Sequence, residues 1–342
     1  MTGPAPRPSG FEALDRDLDE LVRTHAVADA DLIRELLRTG VRMAEDHTSR
    51  GDLKIATAAI REMRRAFAAF APFRSVRKVS IFGSARTTPD SALYRQTVDL
   101  AARMAERDWM VITGAGPGIM RAGVEGAGIG NSFGVSIRLP FETPAPEFDG
   151  DRSRLIPFRY FFTRKLMFMK ESSGFILLPG GFGTLDECFE LLTLLQTGKS
   201  VPAPVVLLDE PGGTYWARWV EFIRHELADE YIAPHDLDLV RVTDDVAVAV
   251  DEVTSFYANY HSIRFVEGRL VVRVRRAPGA ERLEALSEAF EDILVDGRIT
   301  AVEADAREIA ESDAVDLDRI ALHFDRRSWA RLRHLIDALN GC

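Results

Sequence analysis

Residues 174–187 read Gly174-Phe175-Ile176-Leu177-Leu178-Pro179-Gly180-Gly181-Phe182-Gly183-Thr184-Leu185-Asp186-Glu187, a short apolar strand that leads through a glycine-rich turn into a helical pattern. Backbone N–H groups at a helix N-terminus favour an anion, and glycines let the chain approach a ligand closely. Two carboxylates in the first turn also suit the helix dipole, so simple N-terminal capping is one interpretation. The other interpretation is a phosphate held by backbone N–H groups beside an acid that contacts a sugar.

The sequence on both sides of this stretch alternates short apolar strands with helical patterns, which is typical of a parallel sheet with crossover helices. The predicted strands cover 79–82, 110–113, 133–137, 175–178 and 205–208, and the predicted helices cover 91–107, 118–130, 162–170, 184–196 and 215–228. This pattern predicts an α/β fold with a Rossmann-like, doubly wound parallel sheet. Ligands of such folds bind at the carboxyl ends of the strands, so the loops there are the candidate site.

Two further loops of small residues follow predicted strands. One begins Gly83-Ser84, and the other reads Gly114-Ala115-Gly116-Pro117-Gly118. The second resembles a dinucleotide-binding fingerprint, but Ile119 replaces its third glycine, and Arg138 follows the next strand where an acidic ribose ligand is expected. The sequence therefore favours a smaller phosphorylated ligand over NAD, with plain turn geometry as the alternative.

Two adjacent cations, Arg164 and Lys165, lie on the helical pattern that precedes the glycine-rich turn. A guanidinium binds a phosphate or a carboxylate through two parallel hydrogen bonds and keeps its charge near neutral pH. Lys165 is a point charge that either binds the ligand or simply solvates the surface. The neighbouring aromatic residues either stack on a base or belong to the core; they are Phe158, Tyr160, Phe161 and Phe162.

Composition and charge exclude several classes of protein. The 342 residues carry a formal net charge of -10, which argues against nucleic acid as the main partner. No apolar run reaches the roughly 20 residues of a membrane span, and the first ten residues lack the apolar core of a signal peptide, so we expect no membrane partner and a cytoplasmic protein. The two cysteines, Cys188 and Cys342, imply no disulfide framework, and the scattered histidines show no metal-ligand spacing.

We expect four parts along the chain: a disordered tail over 1–10, an N-terminal helical segment over 11–72 with a break at 47–51, the Rossmann-like domain over 73–260, and a small α+β C-terminal domain over 261–342. In the last part, the hairpin signal around Glu267-Gly268 is followed by a helix, two further strands and a final helix that begins at Ser328. Oligomerisation or regulation is the role we expect for it.

Arg164-Lys165 together with P-G-G-x-G-T-x-x-E at 179–187 resembles the paired signature of the LOG (Lonely Guy) family, nucleotide phosphoribohydrolases often mislabelled lysine decarboxylases. The resemblance covers roughly 76–260 and is closest to the longer bacterial members. It implies a Rossmann-like fold, a homodimer or higher homo-oligomer, and hydrolysis of the N-glycosidic bond of nucleoside 5'-monophosphates to free base and ribose 5-phosphate without a cofactor. The family's catalytic arginine and glutamate correspond to Arg164 and Glu187.

The substrate-binding residues expected from the loops and the resemblance are Gly83, Ser84, Gly114, Gly116, Lys165, Pro179, Gly180, Gly181, Gly183, Thr184 and Asp186. Cytokinin riboside monophosphates are mainly substrates of the short family members, so purine or pyrimidine monophosphates are the expected substrates of a long one. The alternative function is a non-catalytic carrier of a nucleotide or of molybdenum cofactor on the same fold. A pure carrier has no need of a carboxylate beside the ribose, and this favours the enzyme.

Overall fold

The computed structural model describes residues 10–25, 29–138, 148, 152–228 and 230–341. The predicted tail therefore lies outside the described residues, apart from Gly10. The chain divides into two compact units, 1–62 and 63–342. The predicted domain boundaries at 72 and 260 remain predictions.

The first unit contains the helices α1 (Gly10–Thr24) and α2 (Ala30–Glu45) and the beginning of α3 (Arg50–Phe70). Arg34 and Asp19 form an ion pair between α1 and α2. The sequence analysis expected a helical segment with a single break at 47–51. The structure has a further break, because α1 ends at Thr24 and α2 begins at Ala30. The C-terminal part of α3 belongs to the larger unit, where Ala66 and Phe70 are buried in the core.

The predicted doubly wound sheet is confirmed. Among the described residues it has seven strands, all parallel, in the order β4-β3-β2-β1-β5-β6-β7. The strands are β1 (Lys78–Phe82), β2 (Met110–Thr113), β3 (Ser132–Ile137), β4 (Leu155–Phe158), β5 (Gly174–Leu177), β6 (Val205–Leu208) and β7 (Val240–Thr243). The sequence analysis missed the two edge strands. Pro157 weakens the strand signal of β4, and β7 is a short, partly exposed strand that contains Arg241.

Helices cover both faces of this sheet, which explains the uniformly apolar inner strands. They are α4 (Ala92–Glu106), α5 (Ile119–Ala127), α6 (Phe161–Glu171), α7 (Phe182–Gln196), α8 (Tyr215–Glu226) and α9 (Val246–Ser255). One apolar cluster packs α4 and α9 on one face, and another packs α6 and α7 on the other. The sequence analysis missed α9 and placed the start of α7 two residues late.

The sheet extends in both directions from β1: β2 pairs with one edge of this strand, and β5 pairs with the other. Leu178 N–H donates to the Phe82 carbonyl at 2.8 Å, so β1 and β5 remain hydrogen-bonded to each other at the point where both strands end. The loops after β1 and β5 therefore flank the topological switch point, where ligands of open α/β sheets bind.

The C-terminal residues form a separate antiparallel sheet of order β10-β11-β9-β8, as expected. Its strands are β8 (Tyr260–Val266), β9 (Arg269–Val274), β10 (Thr300–Ala301) and β11 (Asp318–Leu322), and its helices are α10 (Ala280–Ala289), α11 (Ala306–Glu311) and α12 (Trp329–Asn340). Glu267 and Gly268 both have positive φ, 48° and 88°, as the tight hairpin turn requires.

A buried ion-pair cluster holds α11 against this sheet. The Glu308 carboxylate accepts from Arg273 Nε at 2.9 Å and from Arg319 Nε at 3.0 Å. Burial alone would raise the pKa of Glu308, but hydrogen bonds from Arg273, the Asp305 backbone and Arg319 lower it to about 2. Arg273 is thus a buried structural residue.

Candidate active site

The loops after β1, β2 and β5 line a cleft of about 730 Å³ at the carboxyl edge of the sheet. The structure brings ten of the predicted site residues together in its wall: Gly83, Ser84, Gly114, Arg164, Gly180, Gly181, Gly183, Thr184, Asp186 and Glu187. Three others, Gly116, Lys165 and Pro179, are not among the described residues that line it. Phe161, which the sequence analysis left open as a stacking residue, also lines the cleft. The sequence analysis did not select the remaining lining residues, Phe82, Ala85, Arg86, Met120, Phe182 and Leu185.

The glycine-rich turn forms the N-terminus of α7, with Gly181 at the N-cap and no side-chain cap. The N–H groups of a helix's first turn have no intrahelical acceptor, so here they are available to a ligand. A Cβ at Gly180 would lie 2.1 Å from Thr184 Oγ1, whereas a Cβ at Gly181 or Gly183 would meet nothing within 4 Å. Gly180 thus gives room to Thr184, and the other two glycines leave the space above the turn open.

Backbone hydrogen bonds join the three loops into one scaffold. Ser84 N–H donates to the Pro179 carbonyl at 3.3 Å, and Ile119 N–H donates to the Ser84 carbonyl at 3.1 Å. Gly118 has φ of 68°, and a Cβ there would lie 2.3 Å from the same Ser84 oxygen. Pro179 therefore holds the loops together through its carbonyl, and a residue with a side chain at 118 would separate them.

Arg164 extends from the first turn of α6 towards the end of β3. Its Nε donates to the Val135 carbonyl at 3.0 Å, and its Cζ lies 5.3 Å from the centre of the Phe168 ring. Gly114 is in close contact with the guanidinium, because a Cβ there would be 2.6 Å from Nη2. These contacts fix a positive charge in the wall of the cleft.

Glu187 lies in the second turn of α7, because the helix begins at Phe182 and so has no acid in its first turn, contrary to the sequence-based expectation. Only 6% of its surface is exposed. Its Oε2 atom is buried and has no hydrogen-bond partner among the described groups. Burial raises the pKa of the carboxyl to about 7, against the opposing effects of the Lys165 and Arg164 charges. A buried acid that lines a cleft with an unsatisfied oxygen is a strong candidate for a functional group.

The Lys165 side chain forms ion pairs with two acids of α7. Its Nζ lies 2.9 Å from Asp186 Oδ2 and 2.6 Å from Glu190 Oε2. Burial lowers the pKa of Lys165, but the hydrogen bonds that its ammonium donates to Glu190 and Asp186 outweigh this effect and raise the pKa. Lys165 is thus an ion-pair partner on the flank of the site, from which its charge acts on Glu187.

Aromatic side chains stand at the mouth of the cleft. Phe182 is 95% exposed and Phe161 is 53% exposed, although both are large and apolar. Phe158, the other end of the aromatic run, is fully buried in the core. The run therefore divides between core and cleft. The position of Phe182 inside the glycine-rich turn is the sequence feature that could have identified it as a cleft residue, because a bulky side chain there cannot pack into the core.

Several known proteins resemble this chain in sequence or fold. Residues 116–253 match the sequence model of a family described as possible lysine decarboxylase. A probable cytokinin riboside 5'-monophosphate phosphoribohydrolase of Oryza sativa subsp. japonica is 28% identical over 166 residues, which is 48% of this chain and 76% of the relative. A cytokinin riboside 5'-monophosphate phosphoribohydrolase of Mycobacterium tuberculosis is 28% identical over 177 residues, which is 50% of this chain and 90% of the relative.

A solved structure, the molybdenum cofactor binding protein of Rippkaea orientalis, is 18% identical with a TM-score of 0.39. The alignment covers 53% of this chain and 96% of that protein. This likeness assigns no ligand to the cleft.

Proposed function

From the confirmed resemblance of the α/β domain to the LOG family, we propose that the protein hydrolyses the N-glycosidic bond of nucleoside 5'-monophosphates and releases free base and ribose 5-phosphate. The observation that carries the proposal is Glu187, whose buried and unpaired Oε2 lines the same cleft as Arg164 and the N-terminus of α7. A phosphate at the helix N-terminus orients the ribose, and the acid acts on the bond to the base.

The turn at the start of α7 supplies the phosphate site in this proposal. The first-turn N–H groups and the Thr184 hydroxyl donate to the 5'-phosphate oxygens, and the helix dipole adds to the attraction. Arg86 lines the same cleft and brings a further positive charge. Binding at a phosphate remote from the broken bond holds the sugar in place and so lowers the entropic part of the barrier.

Glu187 stabilises the transition state. Cleavage of the C–N bond builds positive charge on the ribose ring, and a nearby carboxylate stabilises that charge more than it stabilises the neutral substrate. The same carboxylate orients the ribose hydroxyls or the attacking water. Because burial raises the pKa of Glu187 to about 7, the ionised form becomes dominant above neutral pH.

Arg164 supports this chemistry in two ways. Its positive charge lowers the pKa of Glu187 and so favours the carboxylate. Its Nε is engaged with the Val135 carbonyl, which fixes the guanidinium beside the cleft, where it stabilises the negative charge that develops on the departing base. We propose that the base lies towards Phe161 and Phe182, whose exposed rings offer a stacking surface.

The experiment is to incubate the purified protein with a panel of purine and pyrimidine 5'-monophosphates, cytokinin riboside monophosphates included, and to quantify free base and ribose 5-phosphate. We expect equal amounts of the two products from a nucleotide, and at most slow release from the matching nucleoside, which lacks the phosphate. Tight binding of nucleotides without any product would contradict the hydrolase and support a carrier instead.

We also propose that the protein assembles as a homodimer or a higher homo-oligomer. Several large apolar side chains of α6 and α7 are exposed in the single chain, among them Phe162, Leu166 and Phe189. Exposed apolar groups in this number favour burial against another surface. Light scattering of the purified protein measures the mass, and a monomer at micromolar concentration would contradict this assignment.

A further inference from the structure

Three side chains of the kinds that can ligate a metal ion meet outside the cleft. Asp238 lies in the short 3-10 helix before β7, His235 immediately precedes that helix, and His334 lies on α12. One potential ligand atom from each residue lies within 4.8 Å of the others. The sequence analysis expected no metal site because these histidines have no characteristic spacing; the fold, not the local sequence, brings them together.

We propose that His235, Asp238 and His334 bind a divalent transition-metal ion, with Zn²⁺ as the best-fitting ion. The His235 Nδ1 atom lies 3.0 Å from Asp238 Oδ2, and the His334 Nε2 atom lies 3.4 Å from the same oxygen. Bonds of about 2.0–2.1 Å in a tetrahedron place neighbouring ligand atoms about 3.3 Å apart. The two measured separations therefore suit tetrahedral coordination with little movement.

The local backbone explains why two of the ligands face the same side. His235 is the N-cap residue of the 3-10 helix Asp236–Leu239, and residues three apart in such a helix eclipse one another. Asp236, the intervening acid, turns away and accepts from the Ala233 N–H at 2.8 Å. Asp236 therefore does not compete as a ligand, and Asp238 is the acid that contacts both His235 and His334.

The donor set decides the chemical class of the ion. Two imidazole nitrogens and one carboxylate oxygen suit Zn²⁺ and similar transition metals, whereas Ca²⁺ and Mg²⁺ prefer oxygen ligands. His235 and Asp238 are exposed, so water completes the fourth position. The bound ion would link α12 of the C-terminal part to the helix that precedes β7.

The Arg331 side chain opposes metal binding by His334. Arg331 Nη1 lies 3.4 Å from His334 Nδ1, and Arg331 is itself held by Asp292, with Nε 2.8 Å from Oδ2. A neutral histidine that binds metal through Nε2 carries its proton on Nδ1 and cannot accept from arginine. Metal binding therefore requires the Arg331 contact to His334 to break, and removal of that guanidinium is expected to strengthen binding.

The test is isothermal titration calorimetry of the tag-free full chain with Zn²⁺, after treatment of the protein with a chelator. We expect one ion per chain, with a Kd on the order of 1 µM for this open three-ligand site. His334→Ala should weaken binding by about 100-fold or more, because it removes a direct ligand. His323→Ala is the matched control, since His323 Nδ1 pairs with Asp296 Oδ1 at 2.8 Å as a single exposed His–Asp pair.

Two further readouts distinguish a built site from adventitious binding. Co²⁺ should give the strong visible absorption of tetrahedral coordination in the wild type and in His323→Ala, but not in His334→Ala. Arg331→Gln should bind Zn²⁺ several-fold more tightly. Absence of stoichiometric binding, equal binding by the two histidine variants, or weaker binding by a folded Arg331→Gln variant would overturn the proposal.

Discussion

The guanidinium of Arg164 packs directly against the Cα of Gly114. A Cβ on that glycine would lie 2.6 Å from Arg164 Nη2 and 2.6 Å from Met120 Sδ. Gly114 follows β2 and Arg164 lies in the first turn of α6, so the contact joins two elements that are distant in sequence. The second glycine-rich loop therefore positions a cation in the cleft, in addition to shaping its wall.

Replacing Gly114 by alanine should reduce activity without unfolding the protein. The new methyl group displaces the guanidinium, and a displacement of about 1 Å at a catalytic group can lower the rate about 100-fold. We expect kcat for nucleotide hydrolysis to fall by about this factor, as measured by release of free base.

Gly116→Ala is the matched control for that variant. A Cβ at Gly116 would also meet Met120, at 2.6 Å from Cε, but it would meet no atom of Arg164 within 4 Å among its three nearest contacts. A flexible methionine end can move, so we expect nearly wild-type kcat. Equal losses in the two variants would show that the loop matters only through Met120.

Lys165→Met should shift the pH dependence of hydrolysis. The Lys165 charge lowers the pKa of Glu187, and its removal leaves Asp186 and Glu190 without their cation. We expect the acidic limb of kcat/KM to move to higher pH, because this parameter reports groups of the free enzyme. Lys170→Met, on the same helix but paired with Glu171, should leave the limb in place. An unchanged limb in Lys165→Met would exclude electrostatic control of Glu187 by that lysine.

Glu187→Gln should stabilise the fold at alkaline pH. Burial raises the pKa of Glu187 from 4.5 to about 7, so the folded state disfavours its charge. Stability is therefore full below about pH 4.5 and falls as the pH rises through about 7, by at most about 3 kcal/mol. The glutamine variant lacks this loss. Its Tm should exceed that of the wild type clearly at pH 8 and little at pH 5; the opposite trend would contradict the burial argument.

Two neighbouring glycines should separate stability from ligand binding. Gly181→Ala adds a methyl group to the open space above the turn, so we expect an unchanged Tm and a KM for nucleotide about tenfold higher. Gly180→Ala pushes a methyl group into Thr184, so we expect a loss of stability of about 1–3 kcal/mol. An unchanged KM in Gly181→Ala would place the phosphate elsewhere in the cleft.

The central sheet could be predicted because its strands are short apolar runs bounded by glycine-rich loops, a local signal. The same signal placed Gly83, Gly180 and Glu187 at one edge, since parallel strands end together. The edge strands β4 and β7 were missed, because Pro157 and the exposed position of β7 remove the apolar pattern.

The contacts between loops could not be predicted. The role of Gly114 depends on an arginine fifty residues away, and the engagement of Lys165 with Glu190 depends on how α6 packs beside α7. Likewise, His334 meets Asp238 only because α12 packs against the segment before β7. Long-range packing decides such neighbours, and a single sequence carries little information about it.

The most direct test compares wild-type protein and Glu187→Gln in the release of ribose 5-phosphate from a nucleoside 5'-monophosphate, with nucleotide binding measured in parallel by equilibrium dialysis. The account predicts that the glutamine variant folds and binds the nucleotide but turns it over at least about 1000-fold more slowly, because the ring charge loses its carboxylate. Turnover close to that of the wild type in a folded Glu187→Gln variant would contradict the proposed role of this acid.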